Sequence, residues 1–413
     1  MSRKASAQTW SSHWIFILAC IGSAVGLGNI WRLPYTAGMN GGGNFLLPYV
    51  LAVLFVGAPA LIIELTVGKT IRENAVGAFK KMLSKKWWLV LFPLGLSLLV
   101  FSYYLVITGW TMFYAASSLF GLYIPFAEAS GTWWLALGAL ISIILVELVS
   151  RLNIKDGLEK VNLYLLPVLL LTLLALFINS FSLSGFSEAI SFMTTFDLAS
   201  LTPLTITAAI SQAIFSLSIG FTAMLTYGSY ARKKEELFKS SLIIVTTDTL
   251  VGIISAFIVF TVAFTFSIPL ASGPELAFAS LPHTFLSLPY GGIAMSLFFL
   301  MLLSAAMTSA VSLSEVLVDN LRERGEPRQK ASIIMLALTS ILFVPSALSY
   351  SPLPVKIMGI PVLDFLDAEI VGRFAAPIVV ASIIAFTWGW KDCRKALAQN
   401  VPAIFVDPIY FMV

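Results

Sequence analysis

The sequence predicts an all-α polytopic membrane protein. Its ten spanning segments form two inverted repeats of five, with helices 1 and 6 discontinuous. Three observations carry this prediction. Of the 413 residues, 58% are hydrophobic and 11% are charged, whereas an ordinary soluble domain carries about 25% charged residues. The apolar residues fall into ten runs, each close to the roughly 20 residues that a spanning helix needs. Two of those runs, the first and the sixth, are interrupted by small and hydroxyl residues at matching positions.

In chain order the segments lie near 13–36, 43–68, 88–117, 132–150, 161–180, 204–230, 241–267, 291–320, 331–349 and 369–390. They form one transmembrane domain over 1–413, with repeats at approximately 13–180 and 204–391. The first run is too long for the apolar core of a signal peptide and carries polar residues, so it reads as mature structure. Segment 1 is broken by Gly26-Leu27-Gly28, and segment 6 at Ser216-Leu217-Ser218-Ile219-Gly220. Paired interruptions in two halves point to an inverted repeat with a site at the membrane midplane. Because five is odd, the second half runs with the opposite orientation. The stretch 269–290 holds Pro269, Pro274, Pro282 and Pro289 and cannot be one helix; it reads equally as a lid or as a connecting loop. Residues 392–413 read as a cytoplasmic tail or the start of an incomplete further helix, since 401–413 is apolar but too short to span.

The basic residues set the orientation. All but three of the 25 Lys and Arg (Arg32, Lys356 and Arg373) lie before segment 1, after segment 10, or in the loops 2–3, 4–5, 6–7 and 8–9. The positive-inside rule then places the N-terminus in the cytoplasm, in a cell membrane. The net charge of +4 reflects this orientation rather than a nucleic-acid surface. Cys20 and Cys393 lack the number and spacing of a disulfide framework or a metal site.

The break in segment 1 carries the functional signal. Asn29 and Arg32 follow the glycines inside an apolar run, and polar groups at that depth are costly unless they serve a site. A broken helix offers free N–H groups on one side and free carbonyls on the other, which suits a carboxylate and a cation. This reads as a transporter of an anionic-group solute coupled to a metal cation. A channel would need a continuous polar stripe, and the polar residues here cluster at two breaks. An intramembrane hydrolase would need a catalytic pair; no His-Glu-x-x-His motif occurs, and His13 and His283 fall at opposite membrane faces.

The stretch Gly22 to Pro34, followed by Asn40-Gly41-Gly42-Gly43-Asn44-Phe45-Leu46-Leu47-Pro48-Tyr49, resembles the neurotransmitter:sodium symporters, above all the bacterial leucine-transporter-like members. The likeness continues through Glu64, Ser102-Tyr103-Tyr104, Phe215 to Phe221, Tyr227-Gly228-Ser229-Tyr230, Gly273 to Pro282 and Met307-Thr308-Ser309. It implies a Na⁺-coupled amino-acid symporter with the five-plus-five inverted-repeat fold.

The resemblance also implies sites. One sodium site would take the Ala24 carbonyl, Asn29, Ser216, Asp248 and the substrate carboxylate. A second would take the Gly22, Val25 and Ala305 carbonyls with the Thr308 and Ser309 hydroxyls; adjacent hydroxyls on a membrane helix otherwise bond back to their own backbone. The substrate pocket would comprise Ala24, Leu27, Gly28, Val100, Tyr104, Phe215, Ser216, Ser218, Phe221, Ser309 and Leu313. The N–H groups of the segment 1 break and the Tyr104 hydroxyl would hold the carboxylate. The segment 6 carbonyls and Ser218 would hold the ammonium. With no acid among the side-chain contacts, a neutral aliphatic or aromatic amino acid is the expected solute. Asp248 supplies a fixed negative charge, so transport is expected to be chloride-independent. Beside this reading stand the same fold with proton coupling or a different small solute, and a non-transporting sensor.

The family pairs the positions of Arg32 and Asp367 as an outer gate above Phe215 and Tyr104, and an arginine with the position of Glu323 as an inner gate. Here Ala7 stands where that arginine is expected, with Arg3 and Lys4 nearby, and His13 stands where an arginine is common. Arg373 lies within segment 10 and needs a partner; Glu369, Glu64 and Asp248 are the candidates.

Overall fold

The structure is a computed structural model that describes residues 9–270, 278, 290–322 and 327–411. Eight of its helices are long and apolar enough to span: Gly43–Ile71, Ala75–Leu119, Trp133–Ser150, Leu158–Ser180, Leu237–Thr265, Gly291–Arg322, Arg328–Leu348 and Val362–Thr387. Segment 1 is a pair, His13–Ala24 and Gly28–Met39, bent by 48°. Segment 6 is also in two pieces, Pro203–Ser216 and Ala223–Ser229, each too short to cross alone.

Local chemistry sets the ends. The Ser12 hydroxyl accepts the Ile15 N–H at 3.1 Å and starts segment 1. The Thr202 hydroxyl caps segment 6, with Pro203 in its first turn. Segment 10 begins seven residues earlier than 369, at Val362, and Asp367 lies inside it, in a π-helical turn over Phe365–Val371. A run holding Asp364, Asp367 and Glu369 hides this helical start from a hydropathy reading. Two further π-helical turns occur at Gly28–Arg32 and Val53–Gly57, the kind of irregularity that collects at functional sites.

Segments 1, 2, 6 and 7 pack as one body, and segments 3, 4, 8 and 9 as another, with segment 5 against both. Small residues permit the closest crossings. A Cβ on Gly109 would fall 2.2 Å from the Ala139 nitrogen, and one on Gly228 2.5 Å from the Leu65 carbonyl oxygen. The outward faces of segments 4 and 5 expose Leu140, Ile144, Leu148, Leu171, Leu174 and Ile178, a surface for lipid. Phe278 is fully buried among Trp31, Trp110, Tyr114, Phe126 and Phe299. The rest of the lid-or-loop stretch over 271–277 and 279–289 lies outside the described residues. Cys393–Ala398 and Ala403–Phe411 are helical, and Phe405 stacks on Phe238 at 5.1 Å. Arg373 pairs with Glu369, one turn away, rather than with Glu64 or Asp248.

Candidate sodium and solute site

The two breaks face each other at the centre of the molecule. In segment 1 the helix ends at Ala24, Val25 turns to an extended conformation (ψ 108°), and the helix resumes at Gly28. The freed groups are met locally: the Gly26 N–H donates to Asn29 Oδ1 at 3.0 Å, and the Leu27 N–H to the Tyr104 hydroxyl at 3.2 Å. In segment 6 the break covers 217–222, with left-handed backbone at Ser218, Gly220 and Thr222. Two of these are not glycine, a conformation that persists only where surroundings impose it. The Gly220 N–H donates to Glu64 Oε1 at 2.7 Å, and Ser218 Oγ donates to the Ser23 carbonyl at 2.7 Å. From segment 6, Gln212 Nε2 donates to the Gly28 carbonyl at 2.9 Å.

Between the breaks lies a cavity of about 30 Å³ lined by Ala24, Gly28, Val100, Tyr104, Phe215, Ser216, Ser218, Phe221, Ser309 and Leu313, together with Ser23 and Gly26. Of the eleven pocket residues expected, Leu27 alone faces elsewhere: it lines a larger cavity of about 680 Å³. That larger cavity also holds Arg32, Tyr103, Tyr104, Phe215 and Asp367 and lies toward the face opposite the basic loops. Phe215 lines both cavities, as Gly28 and Tyr104 do. The inner space admits little more than a water molecule, so a solute must displace the surrounding side chains. The Ser218 hydroxyl, expected to face an ammonium group, is engaged by Ser23.

Asp248 is fully buried at mid-membrane. Ser216 Oγ donates to its Oδ2 at 2.7 Å, and Asn29 Nδ2 donates to its Oδ1 at 2.8 Å and its carbonyl at 3.1 Å. Asn29 Nδ2 also reaches Ser216 Oγ at 2.9 Å. No basic side chain pairs with Asp248 among the described residues. A buried carboxylate with only neutral donors around it lacks a counter-charge, and the oxygens around it suit a hard cation. Asn29 turns its nitrogen, not its oxygen, to this cluster; rotating the amide by half a turn exchanges the two atoms.

At the second position, Ser309 Oγ faces the Gly22 and Val25 carbonyls, each at 3.4 Å. Thr308 Oγ1 donates back to Ser304 at 3.1 Å and to Ala305 at 3.0 Å. The oxygens of segments 1 and 8 therefore converge there, with Thr308 engaged by its own helix.

The expected gates differ in how far they are assembled. Arg32 and Asp367 line one cavity without forming an ion pair: the guanidinium rests over the Phe215 ring at 4.5 Å, and Asp367 accepts from the Tyr103 hydroxyl at 2.8 Å. Glu323 lies outside the described residues, as do Arg3, Lys4 and Ala7. On that basic-loop face other pairings hold the chain together; His13 stood out in the sequence, but its partner and the other pairs did not. Trp10 Nε1 donates to the Tyr227 carbonyl at 3.0 Å, and the Ser11 N–H to Glu159 Oε1 at 2.9 Å. His13 contacts the Glu235 carboxylate. Arg328 grips Glu315 with two nitrogens at 2.6 and 3.2 Å, and Tyr230 donates to the same carboxylate at 3.1 Å. These partners are 85 to 222 residues apart, apart from the pair Glu315 and Arg328; no local pattern announces them.

Comparison with known proteins identifies the family and the fold. The sodium:neurotransmitter symporter family model matches residues 7–136 and 127–404. The sodium-dependent transporter YhdH of Bacillus subtilis is 32% identical over 381 residues, covering 89% of this chain and 84% of that protein. A sodium-dependent transporter of Haemophilus influenzae is 32% identical over 385 residues, covering 87% and 84% respectively. Among solved structures, MhsT in complex with L-phenylalanine superposes with a TM-score of 0.90 at 33% identity, over 98% of this chain and 96% of that one. This chain belongs to the sodium:neurotransmitter symporter family: it is a sodium-dependent symporter with many membrane-spanning helices.

Proposed function

We propose that this symporter imports a neutral aliphatic or aromatic amino acid with Na⁺, by alternating access and without chloride. The observation that carries the reading is Asp248, a buried carboxylate without a counter-charge, bonded to residues of both breaks. A sodium ion against Asp248, Ser216, Asn29 and the Ala24 carbonyl supplies the missing charge and presents a cation to the solute carboxylate. Because Asp248 is itself anionic, a separate halide has no charge to contribute. The second sodium position lies between the Gly22 and Val25 carbonyls of segment 1 on one side and Ala305, Thr308 and Ser309 of segment 8 on the other.

The apolar wall of Val100, Phe215, Phe221 and Leu313 favours a neutral side chain, as no acid lines the cavity. That MhsT binds L-phenylalanine is consistent with this class. Segments 1, 2, 6 and 7 rock against the rest, with Arg32 and Asp367 closing the outer route and the Trp10 cluster opening the inner one. The distribution of basic residues among the loops supports a cytoplasmic N-terminus in a cell membrane.

The test is equilibrium binding of labelled neutral amino acids to purified protein in sodium chloride, sodium gluconate and choline chloride. The expected result is equal binding in both sodium media and none in choline. Binding that disappears in gluconate overturns chloride independence, and equal binding in choline overturns sodium coupling. A competition panel displaced only by lysine, arginine or glutamate overturns the solute class.

A further inference from the structure

Beside the second sodium position stands a buried acceptor without a donor. Asn162 lies in segment 5 and is 1% exposed. Its amide nitrogen donates to the Leu158 carbonyl, one turn back, at 2.8 Å. This fixes the amide, since the reversed group would set two oxygens against each other. Oδ1 is thereby turned off its own helix, and no donor among the described residues reaches it.

That oxygen is aimed at segment 1 next to its break. A Cβ added to Gly22 would fall 1.8 Å from Asn162 Oδ1 and 3.4 Å from the Thr308 Cβ. Oδ1 therefore occupies the wedge between segments 1, 5 and 8, level with Gly22 and Thr308. Both residues belong to the second sodium position. An interhelical hydrogen bond, the ordinary role of asparagine in a membrane bundle, would require a donor on segment 1 or 8. A Cα–H of Gly22 is only a weak one. An apolar side chain would fill this wedge without leaving a buried amide oxygen unmet. What an unpaired hard oxygen can accept in that place is a cation or the water that accompanies it.

We propose that Asn162 is a third-helix contributor to the second sodium site, its Oδ1 facing the ion from segment 5 while segments 1 and 8 supply the carbonyls and hydroxyls. The assignment rests on the reading of that second site. It adds an oxygen without adding charge, and it ties segment 5 to the two bodies whose relative movement the ion controls.

The experiment is thermal unfolding of the purified full-length protein, titrated with sodium chloride at constant ionic strength against choline chloride. It needs no amino-acid probe. Asn162→Leu keeps the bulk and removes the oxygen, Asn162→Ala serves if the leucine variant does not fold, and Asn162→Asp restores an oxygen with charge. Thr308→Ala and Ser309→Ala report on the second site independently. The expected result is a sodium midpoint raised about tenfold or more in Asn162→Leu and Asn162→Ala, the size typical of a lost supporting ligand. Unfolding in choline alone is expected to be unchanged, and Asn162→Asp is expected to recover the wild-type midpoint or fall below it. If Thr308→Ala and Ser309→Ala raise the midpoint while both Asn162 variants leave it within about twofold of wild type, well short of the effect of a lost ligand, Asn162 is packing and the proposal is overturned. If none of the four moves it while wild type still responds to sodium, the second-site reading itself has failed and takes this assignment with it.

Discussion

The two helix breaks solve the same problem by different means. In segment 1 the gap is short, covering 25–27, and its N–H groups are met by Asn29 of the same segment and by Tyr104 of segment 3. In segment 6 the gap is twice as long, takes three left-handed residues, and leans on a carboxylate of segment 2. Each break thus has its own buried acid. Asp248 touches both breaks through Asn29 and Ser216 and has only neutral donors. Glu64 spends one oxygen on the Gly220 N–H and leaves the other without a partner among the described residues. On the proposed reading the first acid receives a cation and the second holds a backbone in place. A buried acid therefore does not by itself mark an ion site; what it is bonded to decides.

Five changes test that division. The largest effect is expected from Gly220→Ala. The added Cβ would sit 2.1 Å from Val379 Cγ2 on a backbone with φ of +79°. The expected outcome is loss of folded, monodisperse protein in size-exclusion chromatography. Gly28→Ala meets only the edge of the Phe215 ring at 3.0 Å, so it should fold and lose solute affinity instead. Equal yields of the two variants would remove the contrast between the breaks. Next is Asp248→Asn, expected to raise the sodium concentration for half-maximal solute binding by at least about tenfold, because ligand charge sets the affinity of hard-cation sites. Chloride should then stimulate binding where it did not before. An unchanged sodium titration in gluconate would take Asp248 out of the ion site.

Glu64→Gln should behave differently. It exchanges the carboxyl acceptor of the Gly220 N–H for an amide acceptor, a loss of about 1 kcal/mol. It should lower the unfolding temperature while leaving the sodium midpoint near the wild-type value. A shift in that midpoint as large as for Asp248→Asn would merge the two roles. The smallest effect belongs to Ser218→Ala, which removes one hydrogen bond between the breaks worth about 1 kcal/mol. A few-fold change in solute affinity is expected by competition binding. Complete loss would return Ser218 to direct contact with the solute.

Much of this was legible in the chain. Glycine, amide and hydroxyl groups inside apolar runs stand out because lipid cannot satisfy them, so both breaks could be placed to within a residue or two. Of the eleven residues that the resemblance implied for a pocket, ten line one cavity. That Arg373 needs a partner was readable, with Glu369 one of three candidates; the pair that forms is the one at one-turn spacing. What remained hidden depends on chain reversal: Glu64 with Gly220, Ser218 with Ser23, and His13 with Glu235 meet across 156 to 222 residues. The early start of segment 10 escaped because three acids depress its hydropathy.

The position of the Phe215 ring has a mechanical consequence. It lines both cavities, as Gly28 and Tyr104 do, and Arg32 is parked on it. On the proposed reading, a solute entering the inner cavity would have to swing this ring, and that would dislodge the guanidinium and free it toward Asp367 on the far wall. Loading and closing would then be a single stroke, and a solute too small to push the ring would leave the outer route open.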